Sequence, residues 1–422
     1  MKTNKKRIMI KEGASITYIE NSKFKHNRLT FNFITEINSK DATLNAVTSM
    51  LLKLGSMDYP NMTKLNRKLN ELYGATLSSD VSLYGKYQVV DVSIISLDNK
   101  FAMENNVNIT KECADLLCSI VFNPIIFTKL FTKEMLENEK DILKEIIKSE
   151  INDKQTYALY RCKKQICRDE PYGINKYGYL EDLPKINCED IKSAYKKLLQ
   201  YSRIEIVFVG NSYDSYITDT VKNKLNFTRN FSTKIDCNLQ ERRIDKPILE
   251  KEYLNLNQER LVVGFDFSKI KNENEKNSIR LFCYLFGNST NGKLFRNLRE
   301  EKQLCYYCAS HIDTMTGIML VECTTDSCNH NQIVEEILKQ VNLCCDGNIS
   351  DDEINEAKLS LINEIYEVED FVDLSEDWYT NQIITGKMHT PANQINNLNS
   401  ISKEDIISAV KKLRFSSVFK LI

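Results

Sequence analysis

Hydrophobic and polar residues follow the same pattern at the ends of the two halves of the chain. Ile186–Leu198 reads INCEDIKSAYKKL, and Ile401–Leu413 reads ISKEDIISAVKKL. Both stretches place Glu-Asp in the first turn of a predicted helix and Lys-Lys in the last, where the helix dipole favours anions and cations respectively. Each is followed by a short apolar strand, which starts at Arg203 in the first half and at Ser416 in the second. The repetition predicts one structural unit written twice.

A second, weaker repeat lies inside each half. The segments that begin at Lys64 and at Lys293 each read as a helix, a strand, a turn that contains glycine (Gly85 and Gly317) and a returning strand with β-branched alternation. A helix followed by an antiparallel hairpin in both halves indicates that the duplication covers most of each half.

The same patterns predict the fold class and the domain boundaries. Each half opens with a strand, LTFNF at Leu29 and LVVGFDF at Leu261, which is followed by a helix. We therefore expect an α+β protein of two tandem homologous domains, each a largely antiparallel sheet with helices packed on one face. The stretch from Asn226 to Asp245 is polar and without clear periodicity, which favours a linker. The predicted domains are residues 1–225 and 246–422, joined by the linker 226–245.

Composition narrows the class of protein further. The net charge of −1 gives no global field that would favour nucleic acid, and no apolar run reaches the roughly 18 residues that span a bilayer. No apolar signal segment follows the charged N-terminus. We read the thirteen cysteines as reduced thiols of a cytoplasmic protein. Cys305 and Cys308 form a CxxC, but a strand through them would place the two thiols on opposite faces, and no second CxxC completes a zinc site.

Several segments, in order along nearly the whole chain, resemble the pitrilysin/insulinase (inverzincin) peptidase family. The resemblance implies two homologous α/β domains that form one half of a clamshell. In the shorter bacterial members two such chains enclose an unfolded peptide. The segments are EGASITYIENSKFKHNRLTFNF (Glu12–Phe33), EPYGINKYGYLEDLPKINCEDI (Glu170–Ile191), RNLREEKQLCYY (Arg296–Tyr307) and EINEAKLSLINEI (Glu353–Ile365).

The zinc motif of the active members is missing. Those members carry HxxEH, in which two histidines one helical turn apart hold zinc and the glutamate takes a proton from the metal-bound water. The chain has four histidines and no two lie within five residues of each other, so HxxEH occurs nowhere. Counting back from LLKLGS at Leu51 places Ala46, Ser49 and Met50 at the His, Glu and His positions. Alanine and methionine there make an apolar stripe that binds no zinc.

The third metal position is lost in the same way. The helical stretch Glu137–Lys154 resembles the acidic helix of the family, with Glu139 at its first glutamate and Ile146 at the ligand position seven residues later. Glu145 is one residue away, so a register slip would restore one carboxylate. One carboxylate without histidines is a poor zinc site, and the apolar periodicity favours a helix that faces the core.

Arg299 and Tyr306 keep a seven-residue spacing that the resemblance assigns to substrate binding. In the family this pair reaches a peptide at the zinc site, where the guanidinium binds a carbonyl and the phenol donates a hydrogen bond to the developing oxyanion. The ordinary alternative is an arginine near a helix C-terminus and a tyrosine that starts a strand. Tyr307 is the adjacent alternative to Tyr306, on the other face.

These observations predict a non-catalytic subunit that binds extended peptide and completes the active site of a zinc-bearing, HxxEH-containing paralogue. We expect zinc only in that partner, no cofactor in this chain, no membrane insertion and no nucleic-acid partner. The alternative is a structural or assembly protein that uses the same fold for protein–protein contact. GNSTNGKL (Gly287–Leu294) matches a P-loop, but it follows a helical pattern and has Leu294 where Ser or Thr holds Mg²⁺, which disfavours nucleotide binding. Cysteine chemistry in an unrelated enzyme has as little support.

Overall fold

A computed structural model provides the structure of the chain. It describes residues 4–103, 107–168, 170–231, 235–236, 239, 241–254, 256, 258–270, 272–288, 292–386 and 388–422. Part of the predicted linker and the middle of the P-loop-like segment, residues 289–291, lie outside these ranges.

The described residues form eleven strands. They are β1 (Asn4–Lys11), β2 (Ala14–Glu20), β3 (His26–Glu36), β4 (Thr76–Tyr84), β5 (Tyr87–Leu97), β6 (Arg203–Gly210), β7 (Ile248–Glu252), β8 (Glu259–Asp266), β9 (Tyr307–Asp313), β10 (Ile318–Thr325) and β11 (Arg414–Leu421).

The same residues form thirteen α-helices and several shorter helical segments. The α-helices are α1 (Ala42–Leu52), α2 (Met62–Glu71), α3 (Ile109–Phe122), α4 (Lys133–Ser149), α5 (Lys154–Ile166), α6 (Cys188–Tyr201), α7 (Ser215–Lys224), α8 (Glu273–Cys283), α9 (His330–Cys345), α10 (Asp351–Glu367), α11 (Val372–Thr385), α12 (Pro391–Asn399) and α13 (Lys403–Val410). Two π-helical segments are Tyr284–Asn288 and Phe295–Glu301. Short 3₁₀ turns are Asn99–Phe101, Ile125–Phe127, Pro171–Gly173, Leu180–Lys185 and Ser327–Asn329.

The five strands of the second sheet follow the same order as five of the six strands of the first, and the two sheets with their helices confirm the α+β class. The first has the strand order β1-β2-β6-β3-β5-β4, and the second has β7-β11-β8-β10-β9. In each sheet one pair is parallel, β2 with β6 and β7 with β11, and the other pairs are antiparallel. The predicted hairpins are β4–β5 and β9–β10, at equivalent places in the two sheets. The duplication read from the sequence is therefore present in the fold.

The two repeated helices begin in the same way. In α6 the Asn187 side chain accepts from the Asp190 backbone N–H, and the Asp190 side chain accepts from the Asn187 backbone N–H. In α13 Ser402 and Asp405 make the same reciprocal pair. Each capping box satisfies two N–H groups that a helix start otherwise leaves unpaired. The acidic first turn seen in the sequence is thus a helix start signal in both halves.

The chain forms two compact units, and neither is continuous in sequence. Unit 1 comprises residues 4–148, 174–236 and 367–388, and unit 2 comprises residues 149–173, 237–366 and 389–422, as far as they are described. In unit 1, α1, α3 and α6 pack on one face of the sheet, while α11 packs on the other face against β3 and β6. In unit 2, α5 packs on β8, β10 and β11. The boundaries 1–225, 226–245 and 246–422 stay a prediction.

Candidate functional site

The metal-motif positions of α1 lie in the hydrophobic core of unit 1. Ala46 is 2% exposed, Ser49 1% and Met50 7%. The Ser49 hydroxyl lies 3.0 Å from the Ser79 hydroxyl, and Ser79 donates a 2.7 Å hydrogen bond to the Asp91 carbonyl. Ser49 is therefore a buried hydroxyl whose hydrogen bond is satisfied by the neighbouring strand, and nothing in this chain of bonds activates it as a nucleophile.

The third metal position is also apolar. Ile146 on α4 packs against the core of unit 1, on the same side as the fully buried Leu143. Glu145, the residue that a register slip would bring into place, pairs instead with Lys148 at 3.1 Å on the surface. Glu139 is buried, and burial raises the pKa of its carboxyl group. Burial thus favours the neutral acid at Glu139, whereas a zinc ligand must be a carboxylate.

These residues do not fit a zinc ion. Zinc takes imidazole nitrogen, thiolate sulfur or carboxylate oxygen, and the four positions offer a methyl, a hydroxyl, a thioether and a branched alkyl group. Over the ranges that the structure describes, no group of three or more His, Cys, Asp and Glu side chains is arranged to hold a metal ion. We derive no step through a metal in this chain.

The segment that carries Arg299 and Tyr306 has an irregular backbone. Arg299 lies in the π-helical segment Phe295–Glu301. The segment ends at Glu301. Two residues later Gln303 has a left-handed φ of 53°, and the Leu304 N–H donates a 2.8 Å hydrogen bond back to the Leu298 carbonyl. π-helical turns are rare, and a left-handed glutamine is strained where glycine is usual. Such outliers cluster at functional sites, which favours a functional role for this segment.

Arg299 differs from the other cations around it. Arg296 and Lys293 pair with Glu353, and Lys302 pairs with Glu336. The Arg299 side chain is exposed, and its guanidinium lies 4.9 Å from the centre of its own helix's Phe295 ring. Within the part of the chain that the structure describes, it has no carboxylate partner and makes no hydrogen bond. Its five N–H donors are thus available to a ligand.

Tyr306 is exposed and lies next to the outer strand of the second sheet. It is 54% exposed, and its hydroxyl donates a 3.0 Å hydrogen bond to Asp326 Oδ2, which raises the pKa of the phenol. It comes just before β9, the outer strand of its sheet. Among the described side chains no hydrogen bond joins Arg299 to Tyr306. The assignment of these two residues to substrate binding stays a prediction.

The strand that follows Tyr306 is entered through an extra residue. Thr324 of β10 pairs with Tyr307, yet its carbonyl accepts a 2.8 Å hydrogen bond from the Tyr306 N–H. Two residues thus oppose one, which is the arrangement of a β-bulge. Because the bulge breaks strict alternation, Tyr306 and Tyr307 are both exposed, at 54% and 41%. The sequence reading, which placed these tyrosines on opposite faces, missed the bulge.

The same bulge corrects the prediction for the CxxC. Cys305 and Cys308 were expected on opposite faces, but both are buried, and their thiols lie within hydrogen-bonding reach of each other. Cys308 is also directly opposite Cys323 on β10. Three thiols therefore meet on one face of the second sheet. Period-two alternation holds only for a regular strand, and no residue in CYYC itself signals the irregularity.

Comparisons with known proteins agree with this picture. Residues 185–361 match the family model described as the peptidase M16 inactive domain. The chain is 24% identical over 412 residues to the Bacillus subtilis (strain 168) protein named "Probable inactive metalloprotease YmfF", a match that covers 97% of this chain and 96% of that one.

Solved structures extend the agreement to the whole fold. A conserved protein from Enterococcus faecalis V583 has a TM-score of 0.90 at 26% identity and covers 99% of this chain and 98% of its own. The peptidase M16 inactive domain from Pseudomonas fluorescens has a TM-score of 0.78 at 14% identity, with 99% and 98% covered, and so shares the fold. Of the helices in the described ranges, none is long and apolar enough to cross a membrane. Residues 185–361 thus resemble the peptidase M16 inactive domain, and over nearly its whole length the chain is similar to a probable inactive metalloprotease.

Proposed function

We propose that the chain is the non-catalytic subunit of a two-chain zinc peptidase. It binds an extended peptide and places Arg299 and Tyr306 at the metal site of an HxxEH-containing paralogue. The partner supplies zinc, which polarises the scissile carbonyl and activates water. This chain supplies hydrogen-bond donors that hold the peptide and stabilise the oxyanion.

The observation that carries the proposal is the unpartnered guanidinium of Arg299. Three neighbouring cations on the same stretch, Lys293, Arg296 and Lys302, each have a carboxylate partner. An arginine needed only for stability would be expected to share such a partner, because the pair fixes the side chain. A guanidinium kept free at an exposed position is suited to bind a peptide carbonyl or a carboxylate in bidentate fashion.

Tyr306 and β9 support the same role. The hydroxyl of Tyr306 already donates to Asp326 at 3.0 Å, so the aspartate holds the phenol in one orientation until a stronger acceptor arrives. β9 is the outer strand of its sheet, and Gly287 lies against the backbone of Ser310, so we place pairing with an extended peptide at the end of β9 near Tyr307. Strand addition gives affinity through the backbone and demands little of the peptide sequence. The edge and the pair together suit a peptide of variable sequence.

The exposure of the pair also separates the proposal from its alternative. In an assembly protein with a remnant pair, we expect Arg299 and Tyr306 to be covered or neutralised by their own chain. Both are exposed, and one has no partner among the described residues. The exposure favours the proteolytic role over assembly without proteolysis.

A mixing experiment tests the proposal. The chain, an HxxEH-containing paralogue from the same organism and the mixture of both are assayed on a quenched peptide library at equal zinc. We expect cleavage only in the mixture, and a stable complex by size-exclusion chromatography. If the paralogue cleaves equally well alone, or if the mixture forms a complex that stays silent, the chain is an assembly protein.

A further inference from the structure

We propose that Cys305, Cys308 and Cys323 form an oxidation-sensitive thiol centre, in which hydrogen peroxide or an organic hydroperoxide converts Cys305 to a disulfide with one of the two strand thiols. The inference concerns the chain itself, and it stands whether or not the chain works with a zinc-bearing partner.

The geometry of the hairpin brings the three sulfurs together. Cys308 and Cys323 are direct cross-strand partners on β9 and β10, and residues in such pairs have Cα atoms about 4.5–5.5 Å apart, inside the range of disulfides. The bulge at Tyr306 then turns Cys305 to the same face, within hydrogen-bonding reach of both. Cys305 precedes the strand and lies in the loop that follows the left-handed Gln303, so its backbone is not held by the sheet ladder.

The surroundings of Cys305 favour the thiolate. The thiols of Cys308 and Cys323 donate hydrogen bonds to its sulfur and the positive charge of Arg299 adds to their effect, which lowers the pKa of Cys305. The same arrangement raises the pKa of Cys308 and of Cys323, so these two keep their protons. One nucleophilic thiolate with two adjacent thiols is the arrangement of an attacking and a resolving cysteine.

The chemistry balances without any group beyond the peroxide. The Cys305 thiolate attacks one oxygen of hydrogen peroxide, the O–O bond breaks, and hydroxide leaves, giving a sulfenic acid on Cys305. The thiol of Cys308 or Cys323 then attacks that sulfur, an S–S bond forms, and the sulfenic oxygen leaves as water. Two thiols are oxidised by two electrons, and the peroxide is reduced to two molecules of water.

Other buried thiols of the chain lack this activation. Burial raises the pKa of Cys118, Cys162 and Cys283, each to about 12. Cys328 is exposed and serves as a reference for simple accessibility. If exposure alone governed oxidation, Cys328 would react before Cys305, which is only 6% exposed. The proposal requires the opposite order.

The test is differential alkylation of the full-length chain after graded exposure to hydrogen peroxide, read by mass spectrometry. Free thiols are blocked with one reagent, disulfides are then reduced, and the released thiols are labelled with a second. We expect Cys305 and one of Cys308 or Cys323 to be released together, with oxidation of Cys305 faster than that of Cys328, because the thiolate and not the thiol attacks the peroxide. Dithiothreitol should reverse the change.

Substitutions test whether the oxidation depends on the thiol centre itself and not on a general change in the fold. Cys305→Ser should abolish the disulfide, whereas Cys188→Ser, a partly exposed cysteine at the start of α6, should leave it intact. Arg299→Ala should slow oxidation of Cys305 several-fold, and Arg299→Lys should restore it, because the charge and not the shape is needed. Oxidation of Cys328 before Cys305, a disulfide that excludes Cys305, or equal rates in Arg299→Ala and the parent would each overturn the proposal.

Discussion

The helix α1 and the segment 295–306 are the two regions to which the resemblance to the insulinase family assigns its chemistry, and their structures differ in opposite ways. α1 is a regular helix whose motif positions Ala46, Ser49 and Met50 are buried in an apolar core. The segment 295–306 is π-helical, ends in a left-handed residue and exposes Arg299 and Tyr306. The motif positions of α1 contribute to the packing of the core, whereas the segment 295–306 has a strained backbone and an exposed guanidinium.

This difference indicates in which of the two regions the function of the chain can reside. The predicted metal-motif positions of α1 are buried in the core and offer no metal ligand. An irregular backbone that presents an unpaired guanidinium gives nothing to stability, so its retention beside a well-packed helix calls for a ligand. The contrast is the reason to place the function of this chain in unit 2.

The two units also treat buried carboxylates differently. In unit 2 Asp266 is fully buried and accepts hydrogen bonds from two arginines, Arg242 and Arg414. In unit 1 Asp91 and Glu376 lie near a single cation, Arg28. Burial, with the nearby carboxylates as a second cause, raises the pKa of Asp91 to about 7. Unit 2 pairs its buried carboxylate with two arginines, whereas in unit 1 Asp91 and Glu376 share one arginine and desolvation favours their neutral forms.

The largest effect on stability is expected from unpairing Asp266. Arg242→Met removes a guanidinium that bonds Asp266 and Glu170 at 2.8 Å, which should lower the free energy of unfolding by about 3–5 kcal/mol. Arg67→Met, at an exposed i,i+4 pair with Glu71, should lower it by less than about 0.5 kcal/mol. Chemical denaturation measures both. Equal effects of the two substitutions would show that Asp266 is not held as a buried ion.

Restoring a carboxylate at the catalytic position of α1 should destabilise the fold and should not restore catalysis. Ser49→Glu places a carboxyl group at a position that is 1% exposed, which should destabilise the chain by about 3 kcal/mol. Thr63→Glu, at an exposed site in the first turn of α2, is the matched control and should be neutral. Thermal unfolding measures the pair. An unchanged melting temperature for Ser49→Glu would mean that position 49 is accessible to solvent, which would contradict the contrast between a buried α1 and an exposed segment 295–306.

The pH dependence of stability should differ between the parent and an Asp91 variant. Folded Asp91 keeps its proton up to about pH 7, while the unfolded chain releases it near pH 4, so the unfolded state binds fewer protons in between. Stability should therefore fall as the pH rises from about 4 to about 7, by about 3 kcal/mol. Asp91→Asn should flatten this slope, and the exposed Asp219→Asn should not. Denaturation midpoints measured at several pH values test this prediction. Parallel curves of stability against pH for the parent and both variants would contradict the raised pKa of Asp91.

The smallest effects on stability are expected at the candidate site. Arg299→Ala and Tyr306→Phe remove groups that are exposed and pack little, so the melting temperature should stay within about 1 °C of the parent. Differential scanning calorimetry measures this. A fall of several degrees for either variant would give the pair a structural role and remove the contrast with α1.

Much of this fold could be predicted because the signals are local and repeated. The Glu-Asp first turns and Lys-Lys last turns of the repeated helices, the alternating strands and the glycine turns each act within a few residues, and each occurs in both halves of the chain. The absence of HxxEH could be established by inspecting the positions of the four histidines in the sequence. Burial of Ala46 and Met50 followed from their apolar side chains on one helical face.

The rest of the structure depends on contacts between residues that are far apart in sequence, and no local sequence pattern indicates such contacts. The bulge at Tyr306 arises from pairing with Thr324, 18 positions away, and it alone decides which face Cys305 takes. The placement of α11 on the second face of the first sheet joins residues 367–388 to a unit built mostly from the first half of the chain. A long-range arrangement of this kind leaves no periodic trace, so the sequence reading had helices on one face.

The most direct measurement is the steady-state kinetics of the two-chain mixture with Arg299→Ala, Arg299→Lys and the exposed control Arg67→Ala in this chain. If the free guanidinium serves catalysis in trans, Arg299→Ala should lower kcat/KM by about 10²-fold, as loss of one transition-state donor does, with complex formation unchanged. Arg299→Lys should recover part of the loss, and Arg67→Ala should match the parent. Equal kcat/KM for Arg299→Ala and the parent, in a complex that still assembles, would contradict the claim that this chain completes its partner's active site.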